Sequence, residues 1–335
     1  MAPWLGRPTL FAIAAMNAVT GIATAVVLAP LAWGQDANFY RGCGVALSSG
    51  KACESLYPPL TSYAALPLVP LSPALAALAM SMIGAALLAL GVWLETKGCA
   101  RVDRALTAIA VFGFAPVVFE LILGQVTLLI AASLYPVVRR RDGYRNGLAF
   151  GVALALAPKP MLALVVVWIL VWRRRALAGT VAVAAALTLA GLFLAGPAAY
   201  ADWASGVLGA GARGAGISEL ALHANQSLWP MTAAKALLAG LVVLVTLYVT
   251  VRDADRGLAA AVVGGLLVAP YTGLYAISIL LLVVQPAVRV APRAVRLLAL
   301  TANLCFVFLS ALVAWGCVAI ASMVPWRRRT PAASP

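Results

Sequence analysis

The chain has 335 residues, 64% of them hydrophobic and 10% charged, with a mean hydropathy of +1.01. Polar side chains cannot cover such a chain in water, so a bilayer is its solvent. Its formal charge is +14, but Lys and Arg punctuate the whole sequence in short clusters instead of gathering on one domain, which reads as membrane topology and excludes a nucleic-acid-binding face.

The first apolar segment, 9–33, is longer than a signal-peptide core and reads as a first span. A polar stretch, 34–72, follows. Further apolar segments lie at 73–94, 105–122, 124–138, 145–157, 160–172 and 176–195. After a second polar stretch, 196–230, come 231–251, 257–270, 273–288 and 294–324, with a tail at 325–335. The expected fold is all-α: one polytopic transmembrane domain over 1–335 with about ten or eleven helices and two larger extracytoplasmic loops, 34–72 and 196–230. A full span needs about 20 residues, so 124–138, 145–157, 160–172 and 257–270 are short. Short segments are tolerated where protein or a cavity surrounds them, so a cavity is expected.

Orientation follows from the basic clusters Lys97/Arg101/Arg104, Arg139 to Arg141, Arg173 to Arg175, Arg252/Arg256 and Arg289/Arg293/Arg296, all assigned to the cytoplasm. Eleven spans put the terminal Arg327 to Arg329 outside, against that rule. No repeat of fixed period is visible, which disfavours the inverted-repeat architecture of many carriers. Cys43 and Cys53 share the first outer loop and are either a disulfide or two free thiols, whereas Cys99, Cys305 and Cys317 lie in or beside apolar segments as small buried residues.

Of ten acidic residues, Glu95, Asp103, Asp142, Asp253 and Asp255 fall in or beside the basic turns and read as surface partners. Asp36, Glu54, Asp202 and Glu219 fall in the outer loops, and Glu120 sits near the outer end of the third span. Asp36 follows the first span almost at once, where a carboxylate at the membrane surface is either a general base for a lipid-borne substrate or a solvated helix cap. Lys159 lies between Pro158 and Pro160, midway between two arginine clusters. Some 13 residues each way cover ~20 Å, so the chain turns there near the outer leaflet. An unpaired charge at membrane depth costs at least ~2.5 kcal/mol, so Lys159 either meets an anion such as phosphate or snorkels to the headgroups. The stretch His223-Ala224-Asn225-Gln226-Ser227 brings the one histidine and several hydrogen-bonding groups to the edge of a span, suited to sugar hydroxyls or phosphate, or simply to capping a helix. Gly124-Gln125 after Glu120 is a further polar interruption. One His, no Cys-x-x-Cys and no acidic triplet give no metal site; no Walker loop, GxSxG elbow or dinucleotide fingerprint occurs, and no cofactor is expected.

Taken in order, Asp36 with Tyr40, Gly50, Tyr57-Pro58-Pro59 and Pro67; Gly124-Gln125; Lys159-Pro160 before an Arg-rich turn; Asn225-Gln226-Ser227-Leu228; and Pro270-Tyr271 resemble glycosyltransferase family 87 over about residues 30–290. That resemblance implies a GT-C-like multi-spanning enzyme of the bacterial cytoplasmic membrane. Such enzymes take sugar, often mannose, from a polyprenyl-phosphate donor and extend a glycolipid or lipoglycan acceptor on the extracytoplasmic side. It further implies Asp36 as the base. Lys159 and Gln125 would lie near the donor phosphate or sugar; His223, Asn225, Gln226, Ser227, Tyr40, Tyr57 and Glu120 complete the candidate substrate-binding set. The stretch Pro270 to Tyr275 departs from the family pattern, which implies a different acceptor site. Membrane lipids are the remaining expected partners. Two rival readings stand beside it: a transporter or flippase of a lipid-linked sugar that uses the same cavity, and a non-catalytic membrane scaffold that binds a partner enzyme.

Overall fold

The computed structural model describes residues 6–51, 53, 57–212, 233–269, 278–279 and 281–282. Among these, all regular structure is helical, as the composition requires. The helices are α1 (Arg7–Ala32), α2 (Gln35–Ser48), α3 (Pro59–Ala64), α4 (Pro73–Glu95), α5 (Arg101–Phe112), α6 (Ala115–Leu123), α7 (Thr127–Arg139), α8 (Tyr144–Leu156), α9 (Ala163–Trp172), α10 (Arg174–Ala212), α11 (Ala233–Arg252) and α12 (Ala254–Val268). Local signals set several starts. Ser72 caps α4 by accepting from the Leu75 N–H at 3.3 Å, with Pro73 at the first helical position.

Each of the first nine predicted apolar segments contains helix. The described stretches Arg7–Ser48, Pro73–Glu95 and Arg174–Gly206 are individually long and apolar enough to cross a bilayer. A fourth crossing arises if α5 and α6, bent by 62° at their junction, form one broken span. The other apolar helices among the described residues are shorter than a full span, and some of these are enclosed by their neighbours. The clearest case is α12, where every residue from Gly257 to Leu267 is buried. The core joins Trp168 and Ile169 of α9, Leu134 of α7, Phe150 of α8 and Leu258 and Leu266 of α12. Outward-facing positions are apolar too: Val19, Ile22 and Val26 on α1, Leu237 and Leu244 on α11, and Phe193 on α10, the last 90% exposed. A surface of that kind faces lipid.

Small residues let α8 and α10 touch backbone to backbone. A Cβ added at Gly147 would stand 1.8 Å from the Ala176 carbonyl oxygen, and one at Gly179 would stand 2.1 Å from that of Tyr144.

The helices run back and forth, so one end of the bundle gathers the basic turns. There Arg139 pairs with Glu95 at 2.8 Å and Arg7 with Asp103 at 2.9 Å. Asp142 accepts from the N–H groups of Arg175 and Ala176 at the start of α10, and Asp253 from that of Arg256 at the start of α12. A cavity of about 280 Å³ opens beside this end, walled by Leu87, Leu94, Val111, Tyr135 and Leu282 among others; none of Asp36, Gln125 and Lys159 lines it.

Two stretches read as loops differ. Much of 34–72 is folded: α2, α3 and a 3-10 turn over Leu66–Leu68. The apolar face of α2 is Ala37, Tyr40, Cys43 and Gly44, a helical spacing that its polar neighbours obscure. Arg41 pins this region by donating to the carbonyls of Leu71 at 2.6 Å and Val69 at 3.4 Å, and Cys43 is disulfide-bonded to Cys53. In the other stretch, helix continues past a break at Gly196 (φ 83°) to Ala212. The sequence there is rich in Ala, which favours helix, and Pro197 follows the break, where it costs no helical hydrogen bond.

Candidate functional site

The bundle end opposite the basic turns gathers polar groups from elements far apart in sequence. α1 and α2 meet at Gly34, which adopts the left-handed conformation (φ 68°) and donates its N–H to the Ile122 carbonyl of α6 at 2.7 Å. The turn brings Asp36 into the first turn of α2, where a helix N-terminus favours a carboxylate. α6 ends in the same way at Gly124 (φ 67°), and a Cβ there would stand 2.8 Å from that of Ala37 on α2. The two glycine turns therefore lock the start of α2 against the end of α6.

Gln125, the next residue, is 4% exposed. Its Oε1 accepts from the Val126 N–H at 2.7 Å and from the Tyr40 hydroxyl at 2.5 Å, and the Tyr57 hydroxyl stands 3.3 Å away. Its Nε2 donates to Asp36 Oδ2 at 2.8 Å. A backbone N–H only donates, so the atom facing Val126 is the oxygen and the amide cannot be turned over. The Tyr40 and Tyr57 hydroxyls are 3.0 Å apart, with their rings edge to face at a centroid distance of 5.4 Å.

Lys159 is half-buried in the turn between α8 and a 3-10 turn, Pro160–Leu162. It lies within electrostatic reach of both Asp36 and Glu120. The turn is tied to α3 through Thr61, whose hydroxyl donates to the Leu156 carbonyl at the end of α8. Glu120 is 1% exposed and its Oε1 accepts from the Leu128 N–H at 2.9 Å, so it caps the start of α7 from inside the protein.

Six of the sequence-derived candidates thus converge: Asp36, Tyr40, Tyr57, Glu120, Gln125 and Lys159. Of these, Asp36 and Lys159 are only half-buried, while Tyr40, Glu120 and Gln125 face the protein interior. His223, Asn225, Gln226 and Ser227 lie outside the described residues, as do Glu54, Glu219, the stretch 270–275 and Arg327 to Arg329. Asp202 is exposed on α10. Sequence reasoning missed Thr61, Ile122 and Val126, which act through backbone groups or a single hydroxyl; only the Gly34 and Gly124 turns beside them carried a readable signal. Among the described residues no group of three His, Cys, Asp or Glu could hold a metal ion.

The family model described as glycosyltransferase family 87 matches residues 56–315. The chain belongs to that family. No curated protein and no solved structure gives a significant match. The matched stretch of this membrane glycosyltransferase contains Tyr57, Glu120, Gln125, Lys159, His223, Asn225, Gln226 and Ser227. Asp36 and Tyr40 precede it, and the fold alone brings them to the others. As a glycosyltransferase the protein takes a sugar donor and an acceptor.

Proposed function

We propose that this glycosyltransferase moves a sugar, mannose in the first instance, from a polyprenyl-phosphate donor to a glycolipid or lipoglycan acceptor on the extracytoplasmic side of a bacterial cytoplasmic membrane. The observation that carries the reading is the meeting of Asp36 and Lys159 at one end of the bundle, each half-buried and within electrostatic reach of the other. A carboxylate and a cation at the same end of the bundle suit a displacement in which the acceptor loses a proton while a phosphate departs as an anion.

In this mechanism the acceptor hydroxyl gives its proton to Asp36 as its oxygen bonds to the anomeric carbon. The bond from that carbon to the phosphate oxygen breaks, and its electron pair leaves with polyprenyl phosphate. Attack from the face opposite the leaving group inverts the anomeric centre in one step. Lys159 offsets the growing charge on the phosphate, with His223 assisting, and Asn225, Gln226 and Ser227 hold sugar hydroxyls. Two observations support the outward-facing site. The Cys43–Cys53 disulfide lies on the helix that carries Asp36, and disulfides persist in oxidising compartments. The basic turns gather at the opposite end, the end the charge rule assigns to the cytoplasm.

The test is incubation of the protein in nanodiscs with radiolabelled polyprenyl-phosphate mannose and a bacterial lipid extract, wild type beside Asp36→Asn. Wild type is expected to label a new glycolipid, and Asp36→Asn to lose at least ~100-fold in turnover while still binding donor. Full activity in Asp36→Asn overturns the assignment. Movement of donor across the bilayer without any glycosidic product favours a flippase.

A further inference from the structure

We propose that Gln125 is a positioning residue that holds Asp36 for proton transfer, and that the substrate never touches it. The inference rests on Asp36 as the base and deepens that reading. It begins from the hydrogen-bonding capacity of the Gln125 amide. Oε1 already meets the Val126 N–H at 2.7 Å and the Tyr40 hydroxyl at 2.5 Å, with the Tyr57 hydroxyl at 3.3 Å, and Nε2 is given to Asp36 Oδ2 at 2.8 Å. The side chain is 4% exposed. Oε1 has no lone pair left for a sugar hydroxyl, and at that burial the second N–H of Nε2 has almost no surface to offer a phosphate.

The same contacts make Gln125 a rigid support. Its oxygen is nailed to its own backbone turn and to a tyrosine on α2, so the amide cannot rotate away from Asp36. Tyr57 enters from the segment before α3, which joins three separate pieces of chain at one amide group. Gln125 takes Oδ2 of Asp36, leaving Oδ1 to receive the proton of the acceptor hydroxyl. Held this way the carboxylate has one orientation, and orientation of a base is worth much of its catalytic effect.

Gln125→Glu keeps the oxygen that serves Val126 and Tyr40 but replaces the N–H donor to Asp36 with a second carboxyl group, so the pair shares a proton or repels and Asp36 no longer stands ready as a base. With polyprenyl-phosphate mannose as donor, the expected result is a drop in kcat of about ten- to a hundredfold with KM for the donor unchanged, the size of effect one charged hydrogen bond exerts. Binding of plain polyprenyl phosphate, which needs no turnover, is expected to match wild type in the uncharged Gln125→Leu and to weaken in Lys159→Ala. In an Asp36→Asn background Gln125→Glu is expected to add no further loss, because the two act as one unit. Gln125→Leu should reproduce the kcat loss; if it does not fold, the isosteric Gln125→Glu still decides.

A raised donor KM with normal kcat, or polyprenyl-phosphate binding weakened as far as in Lys159→Ala, would overturn the proposal and make Gln125 a substrate ligand. An active Asp36→Asn removes the base itself, whereas an inactive Asp36→Asn beside a Gln125→Glu with wild-type kcat removes only the positioning role.

Discussion

The two ends of the bundle use charged residues in opposite ways. At the basic end the carboxylates hold the fold: Glu95 pairs with Arg139, Asp103 with Arg7, and Asp142 and Asp253 accept from the N–H groups that open α10 and α12. At the other end Asp36, Gln125, Tyr40 and Tyr57 bond to one another across sequence separations of 17 to 89 residues, and Lys159 faces two carboxylates at once. Charges answered by the nearest helix end or arginine are accounted for by folding. Asp36 and Lys159, half-buried at the end where Gln125 and Glu120 are buried, form an arrangement that folding needs do not explain, and such arrangements point to candidate sites.

This contrast is open to attack by mutation. The largest effect expected is at the Asp36 end: Lys159→Ala should lower kcat/KM by about a hundred- to a thousandfold in the radiolabel assay, in protein that still folds. An unfolded Lys159→Ala protein would make that lysine structural and erase the difference between the ends. Next comes Gly147→Leu, which has no room against Ala176 and should destabilise by about 3 kcal/mol or prevent folding, read from detergent-solubilised yield and thermal unfolding. Arg139→Met, which leaves the half-buried Glu95 without its partner, should lower stability by about 1–3 kcal/mol yet keep the kcat of whatever protein remains folded. Smallest is Asp103→Asn. Its arginine partner is 67% exposed, and a change within about 0.5 kcal/mol is expected by the same unfolding measurement.

Much of the fold could be read from hydropathy and punctuation. α1 and α4 begin and end within two residues of the predicted segments, and the turn at Lys159 falls between α8 and α9 as the proline spacing requires. α2 was hidden because Gln35, Asp36, Asn38 and Arg41 dilute a short apolar face that only tertiary contact with α4 and α6 makes worthwhile. The bend between α5 and α6 was hidden as well, since the unbroken apolar run around Gly113 and Pro116 outweighed the break that those two residues signal. Within the site, the residue types of Asp36 and Lys159 announced themselves, as polar groups in apolar surroundings do. The use made of Gln125 did not. Its partners lie 68, 85 and 89 residues away, and no local pattern encodes a meeting over such distances. The pairing of Cys43 with Cys53, left open by spacing alone, depends on the same folding of the first polar stretch.

The Gln125 junction also bears on how such an enzyme could change its substrate. α2, the segment before α3 and the turn between α6 and α7 meet at a single amide, so a shift in any one of them disturbs the other two. Sequence change is tolerated least where three strands of dependence cross. A lineage acquiring a new sugar or acceptor would keep this knot and vary the stretches it does not bind, so that the junction is inherited as a unit while the surface around it drifts.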